Sequence, residues 1–443
     1  MKRVLLISYY WPPAGGPGAL RMVKFARYLP QFGWQPVVLT VKNGEFPYRD
    51  PSLEEDLPRG IKVYRSNSWD PFRLYKKLTG KKTDEAIPVG VLTHRKRGFA
   101  EKFASAIRAN LFIPDARIGW VPFAVHAALR IIKKERIDLI FISSPPHSAQ
   151  LIGWWLKRKT GIPWVADLRD PWTEIRYYEF VRRWKIACRL DRFLEKKVLQ
   201  NSNSLTTVSR DLAHSFAAKS GQPNDAKFFV LPNGYDEADF EHLAYHPGKS
   251  FTILHTGNMQ AHQNPKILWQ VLKRMIDQEQ QFRKIIRVRL VGKTHPDIGE
   301  EITRLGLNDV ATFDSFKPHK EILPLMKNAD LLLMVIPKVE RNRGIVTGKF
   351  FEYLGANRSV FIIGPPDSEA GKILQSLRSG QIFDYEDEEN LRSYLEQAIQ
   401  SWRGGNHAFN NRPAVEIFSR KNLSRQLSEI FLRFIDGLRE KTV

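Results

Sequence analysis

The sequence predicts an α/β protein built from two Rossmann-like domains. Short apolar runs alternate with stretches of helical periodicity along most of the chain. That alternation is the mark of a parallel sheet covered on both faces. The pattern restarts after Pro232-Asn233-Gly234-Tyr235-Asp236. At ~150 residues per domain, a chain of 443 residues has room for two or three such units. The expected domains are therefore 1–232 and 233–443, with the last helices free to pack back on the first.

In the first domain, Arg3–Ser8 reads as a buried strand. Ala19–Phe32 follows as a helix, with Leu20, Val23, Ala26 and Leu29 on one stripe and Gly33 as its stop. Pro36–Thr40 is a second strand and Ile61–Tyr64 a third. Residues 66–118 fit no element and read as an insertion or mobile region. Val121–Glu135, Ser148–Lys159 and Phe180–Leu199 carry helical spacing, and Leu139–Ser143, Trp164–Asp167 and Ser204–Val208 are strands. In the second domain the expected strands are Phe251–Thr256, Arg287–Val291, Ala311–Phe313, Leu331–Val335 and Ser359–Ile363. The expected helices are Pro265–Gln278, Ile298–Leu305, His319–Lys327, one beginning at Lys349–Leu354, Leu391–Trp402 and Ser424–Leu438.

Composition removes several classes. A hydrophobic fraction of 42% supports large cores and argues against global disorder. The single cysteine, Cys188, excludes an intrachain disulfide framework and a multi-cysteine zinc site, and fits a reducing compartment. No run approaches the ~20 apolar residues of a spanning helix. Val4–Ile7 is far too short for a secretory signal. The expected location is the cytoplasm, with a peripheral seat on the inner face of the plasma membrane.

The charge is uneven. Residues 1–232 hold 40 basic and 20 acidic side chains, a net of 40 − 20 = +20; the rest hold 29 and 27, a net of +2. Basic and apolar residues interleave at Phe72–Leu78, His94–Arg97, Trp154–Lys159 and most fully at 180–199. There Phe180, Trp184, Ala187, Leu190, Leu194 and Val198 recur at helical spacing, with Arg and Lys on the other faces. A basic amphipathic helix suits an anionic membrane, and an ordinary surface helix has the same pattern. On charge alone, membrane and nucleic acid both qualify.

The chemistry-bearing residues cluster after strands. Gly15-Gly16-Pro17-Gly18 lies between the first strand and the first helix. Glycines there, Gly16 among them, bring backbone N–H groups to a phosphate or simply make a tight turn. Asp167-Leu168-Arg169-Asp170-Pro171-Trp172 follows a buried strand, where open α/β sheets bind ligands. Arg169 and Asp170 are candidate site residues there; a loop-organising salt bridge is the alternative. His147, after Ser143-Ser144-Pro145-Pro146, reads either as a substrate contact or as a helix-start histidine.

The stretch Arg341–Leu354 is the most informative. Arg343, Thr347, Gly348 and Lys349 at a helix start suit a diphosphate, and Glu352 is placed to accept ribose hydroxyls; a capped helix with a solvated basic rim is the alternative. Gly257 and Asn258 end the first strand of the second domain, and Gly292-Lys293 ends another. Gly257, Asn258 and Lys293 join the donor-binding candidates.

Taken in order, these motifs resemble family 4 glycosyltransferases of the GT-B fold, in one bacterial branch. The resemblance runs through Pro12-Pro13-Ala14-Gly15-Gly16, Pro114-Asp115…Trp120, Ser144-Pro145-Pro146 and Asp167–Trp172. It continues through Thr207-Val208-Ser209, Pro232–Asp236, Thr256-Gly257-Asn258 and the Gly348–Leu354 helix. It implies a retaining, metal-independent sugar transfer in an interdomain cleft. The donor, a UDP- or GDP-linked sugar, would sit on the C-terminal domain and a lipid-linked or cell-envelope glycan acceptor on the N-terminal one. No cofactor is implied. Glu352 falls on the second Glu of the family's E-x7-E pattern, and Gly344 stands where the first Glu is usual. The family's donor-side His position falls on Arg169 or Asp170.

Three other readings compete. A nucleic-acid-binding protein would use the basic half, yet the sequence has no zinc-finger, RNP or helix-turn-helix pattern, and no nucleic acid is expected. A nicotinamide oxidoreductase lacks its G-x-G-x-x-G. A non-catalytic subunit of the same fold is the third, prompted by Gly344.

Overall fold

A computed structural model describes residues 1–46, 49–69, 109–175, 183–221, 225–340, 342–406 and 412–439. The chain forms two compact units, Met1–Pro232 with Leu423–Val443, and Asn233–Asn422.

The first unit is a parallel sheet of seven strands: β1 (Lys2–Ile7), β2 (Trp34–Val41), β3 (Lys62–Ser66), β4 (Leu139–Ser144), β5 (Trp164–Leu168), β6 (Ser204–Thr207) and β7 (Phe228–Val230). Their order is β3-β2-β1-β4-β5-β6-β7. Period-2 alternation sorts the side chains. Leu5 pairs with Val37 and Ile140, and all three share one core. Leu6 pairs with Val38 and Phe141, and these share the other. The first core is covered by α2 (Val121–Glu135), α3 (Ala149–Thr160), α4 (Lys185–Asn201) and α5 (Arg210–Ser220). The second is covered by α1 (Pro17–Tyr28) and by the last helix, Arg420–Arg439. In that last helix Leu423, Leu427, Phe431 and Ile435 recur every four residues. Phe431 packs edge-on to Trp34 and Phe141 at 5.1 and 5.6 Å.

The second unit is a parallel sheet of six strands in the order β10-β9-β8-β11-β12-β13. These are β8 (Phe251–Thr256), β9 (Ile286–Val291), β10 (Ala311–Asp314), β11 (Leu331–Val335), β12 (Ser359–Ile363) and β13 (Gly380–Phe383). Ile253, Val288, Leu333 and Phe361 pack on one face under α6 (Lys266–Gln278) and neighbouring helices. Leu254, Leu332, Met334 and Ile362 pack on the other. That face is covered by α8 (His319–Asn328), α9 (Gly348–Gly355) and α10 (Glu369–Leu377), with α7 (Pro296–Arg304) and α11 (Glu388–Arg403) on the opposite side.

Both sheets reverse their strand order once, between β1 and β4 and between β8 and β11. Ligands of open α/β sheets bind beyond the strand ends at such points. The glycine loop, the Ser-Pro-Pro-His turn, Gly257 and the run leading into α9 all follow those strands.

Several boundaries differ from expectation. The first helix ends at Tyr28 and tightens into a 3-10 turn at Leu29–Phe32, closed by Gly33 at φ 83°. Pro30 lacks the N–H that would continue the α-helical ladder. Strands β7 and β13 and helices α5 and α10 are further elements, outside the sequence-based expectation. The expected helix from Phe180 begins at Lys185 in the described residues, because Trp184 is extended, at φ −71° and ψ 145°. Its expected stripe is also corrected. Ala187, Asp191, Glu195 and Val198 face inward, while Trp184 and Leu190 are exposed. Two basic stretches, Phe72–Leu78 and His94–Arg97, lie outside the described residues, as do Phe180 and Arg182.

Candidate active site

In the second unit the site is built around two glycines and one lysine. Gly257 follows β8 at φ 89° and donates its N–H to Val291 O at 2.7 Å. Gly292 follows β9 at φ 128°, and a Cβ there would come within 2.7 Å of the Gly257 backbone. A Cβ on Gly257 would meet Lys349 Nζ at 3.0 Å. Two residues without side chains thus let neighbouring strand ends close and let Lys349 cross over them.

Lys349 stands in the first turn of α9. Its Nζ is 3.4 Å from His255 Nε2. His255 Nδ1 lies 3.0 Å from the carbonyl of Leu333, which fixes the proton on Nδ1 and turns the Nε2 lone pair to the lysine. Burial, then the Lys349 charge, hold His255 well below the usual imidazole range, so it is neutral. Burial also lowers Lys349 to about 8, against the opposing pull of Glu352. The ammonium at neutral pH is therefore supported by a neutral acceptor and is poorly hydrated.

The helix start supplies more donors. The first N–H groups of a helix have no partner within it and attract anions. Thr347 caps α9 in an extended conformation, and its Oγ1 is buried with no hydrogen bond among the described residues. Glu352, one turn on, has Oε1 3.2 Å from His319 Nε2. Tyr353 Oη accepts from Thr256 N at 2.8 Å and pins α9 to the end of β8. Asn258 Oδ1 accepts from Lys293 N at 3.3 Å, and both side chains are exposed beside the two glycines.

The structure thus brings Gly257, Asn258, Lys293, Thr347, Gly348, Lys349 and Glu352 to one end of the sheet. Arg343 is engaged elsewhere. Its Nε donates to Asp367 at 2.6 Å and its carbonyl accepts from Glu369 N at 2.8 Å, which ties it to the loop before α10. Arg341 lies outside the described residues. His255, His319 and Tyr353 are the site residues that sequence reasoning missed. Only His255 had a signal, its place at a strand end before Gly257.

In the first unit, Gly16 caps α1 at φ 91°. A Cβ on Gly18 would lie 2.6 Å from Arg169 Nη2, so the glycine loop makes room for a guanidinium. Arg169 Nε donates to Ser143 Oγ at 3.2 Å. Asp170 is half-buried beside it. His147 is 7% exposed and stacks on Trp172 at 5.0 Å with an 11° interplanar angle. Its Nε2 lies 3.2 Å from Pro171 O, so that nitrogen carries the proton. Burial lowers its pKa more than Asp115 and Asp170 raise it. That seat fits a helix-start histidine bonded to backbone: Nε2 holds the Pro171-Trp172 turn, while Nδ1 is buried with no hydrogen bond among the described residues. Asp167 is fully buried in a polar cluster. Its carboxylate takes Arg21 through Nε at 3.1 Å and Nη2 at 2.9 Å, plus Ser143 Oγ at 2.6 Å and Thr206 Oγ1 at 2.8 Å. The loop-organising ion pair therefore exists, with Arg21 rather than Arg169 as its cation.

Residues 15–234 match the family model of the glycosyl transferase 4-like domain. Among solved structures the chain is similar to the sucrose-phosphate synthase of Thermosynechococcus elongatus, at 13% identity and a TM-score of 0.61 over 99% of this chain and 100% of that one. It is similar to Anabaena HepE in complex with UDP-glucose, at 14% identity and a TM-score of 0.59 over 98% and 100%. It is similar to S. aureus TarM in complex with fondaparinux, alpha-GlcNAc-glycerol and UDP, at 11% identity and a TM-score of 0.57 over 97% and 100%. These likenesses establish the GT-B fold. No curated protein matches the chain at a comparable level of significance.

Proposed function

From the match of residues 15–234 to the glycosyl transferase 4-like domain, we propose that this glycosyltransferase moves a sugar from a UDP- or GDP-sugar to a lipid-linked or cell-envelope glycan. The donor binds the second unit and the acceptor the first. The observation that carries the donor assignment is Lys349, held across Gly257 at the start of α9 beside the unpaired Thr347 Oγ1. HepE and TarM, with UDP-glucose and UDP bound, support a nucleotide-sugar as the donor.

In the proposed reaction the acceptor oxygen bonds to the anomeric carbon as the bond to the diphosphate breaks, with configuration retained. The electron pair leaves on the phosphate oxygen, which also receives the acceptor proton. Lys349, the α9 N–H groups and Thr347 stabilise that charge without a metal. Glu352 accepts the ribose hydroxyls, exchanging its contact with His319. Lys293 and Asn258 flank the nucleotide. Arg169 and Asp170 serve the acceptor on the first unit, and His147 positions their loop. The protein works in the cytoplasm, with the basic half against the anionic inner face of the plasma membrane.

The test is incubation with UDP- and GDP-sugars and envelope lipids, following nucleotide release and the anomeric configuration of the product by NMR. Release from one nucleotide class with retained configuration is expected. No release from any of them would overturn the reading, and an inverted product would remove the retaining mechanism.

A further inference from the structure

Helix α4 has three distinct faces. Ala187, Asp191, Glu195 and Val198 are buried against the first unit. At about 100° per residue, Ile186, Leu190 and Phe193 fall within roughly a 60° arc on another face. They are 74%, 46% and 51% exposed, and Trp184 at the helix start is 56% exposed. Lys185, Arg189, Arg192 and Lys196 lie along the flank of that arc and are exposed too.

The two acidic residues of α4 are turned away and neutralised. Asp191 is fully buried, 2.9 Å from Arg183 Nη2, and accepts from Trp172 Nε1 at 2.7 Å. Glu195 is 2% exposed and takes Lys219 Nζ at 3.1 Å with Thr173 Oγ1. The exposed residues of this helix are therefore apolar or cationic, with no carboxylate among them.

We propose that this face of α4 is a membrane-docking surface that seats in the headgroup layer of an anionic bilayer. Ile186, Leu190, Phe193 and Trp184 enter the acyl boundary and Lys185, Arg189, Arg192 and Lys196 meet lipid phosphates. The order of the two chemistries decides the occupant. A nucleic acid would satisfy the cations and leave a row of aliphatic side chains without a partner. A bilayer offers anionic headgroups beside an apolar layer, within the ~5–10 Å depth an interfacial helix reaches. The net +20 of residues 1–232 adds long-range attraction to the same surface. Nearby, α3 exposes Trp155 and ends in Lys157-Arg158-Lys159, and Lys157 Nζ reaches Asn201 O at the end of α4, 2.7 Å away. This inference rests on the proposed membrane-linked acceptor and names the surface that would reach it.

The test is co-sedimentation of the full chain with vesicles of phosphatidylcholine alone or mixed with phosphatidylglycerol. Three proteins are compared: the unaltered chain, an I186S/L190S/F193S variant, and F316S, a change at a 72% exposed residue of the second unit. Binding to anionic vesicles only is expected, weakened roughly ten-fold or more by the triple change and untouched by F316S. Melting curves confirm that each variant folds. Equal vesicle binding by the triple variant, or none by the unaltered chain, overturns the proposal. So does a dimer that the triple change dissociates without altering vesicle binding. Stabilisation by UDP or GDP, read on the same samples, separates the two claims. Its loss in all of them counts against the transfer reading, and its persistence without vesicle binding counts against the docking surface alone.

Discussion

Lys349 Nζ lies 3.4 Å from His255 Nε2, a contact between a cation and a neutral imidazole at the end of β8. Burial holds the lysine near pH 8, so its charge can change within the ordinary working range. A diphosphate needs the protonated form. UDP affinity is expected to be level below pH 7 and to fall as the pH rises through about 8. In Lys349→Met that pH limb vanishes and affinity drops roughly 10- to 100-fold, the worth of a charge-assisted hydrogen bond. Calorimetric titrations between pH 6.5 and 9.5 check both.

The same lysine has a stability signature of opposite sign from a surface ion pair. Between pH 8 and its ordinary value of 10.5 the unfolded chain keeps the proton that the folded chain has released. Stability rises with pH wherever the unfolded state binds more protons. Lys349 therefore makes the unliganded fold firmer as pH climbs through this window. Denaturant midpoints of the unaltered chain minus those of Lys349→Met isolate the effect.

Gly257 and Gly33 provide a controlled pair. Both have positive φ, 89° and 83°, but a Cβ at Gly33 meets nothing within 4 Å while one at Gly257 meets Lys349. Alanine at either site carries a backbone cost of about 1–2 kcal/mol. Only Gly257→Ala is expected to weaken UDP binding as well. Parallel melts and titrations of the two variants measure the difference.

Asp167 and Arg21 form an ion pair with neither side chain exposed, and Arg21 also donates to the carbonyls of Leu231 and Pro232 at 2.9 and 2.7 Å. Asp167→Ala leaves a buried guanidinium without its carboxylate. A loss of about 3–5 kcal/mol is expected, read from urea unfolding followed by far-UV circular dichroism. Asp170→Ala, at a half-buried residue two positions beyond the strand end, leaves that pair intact and is expected to cost far less.

The two parallel sheets were legible because apolar strands alternate with helical stripes, a local pattern. The donor group was legible in part because Thr347, Gly348, Lys349 and Glu352 sit within the cap and first two turns of a single helix. Contacts across long separations were not. His255 and Lys349 are 94 residues apart, and Arg21 and Asp167 are 146 apart. Nothing local marks such partners. Residue type also misled: Arg169 and Asp167 are two apart in sequence, yet the Asp167 carboxylate meets Arg21 and Thr206 while the Arg169 guanidinium packs against Gly18 of the glycine loop. The inward turn of Asp191 and Glu195 on α4 was equally hidden, since charge on a helix normally reads as its solvent face.

The central claim is that a nucleoside diphosphate binds at the start of α9 through Lys349. Isothermal titration of UDP and GDP at pH 7 into the unaltered chain and Lys349→Met tests it directly. Saturable binding of one nucleotide to the unaltered chain, weakened at least ten-fold in Lys349→Met, is the predicted result. Equal binding to both proteins, or none to either, would contradict it.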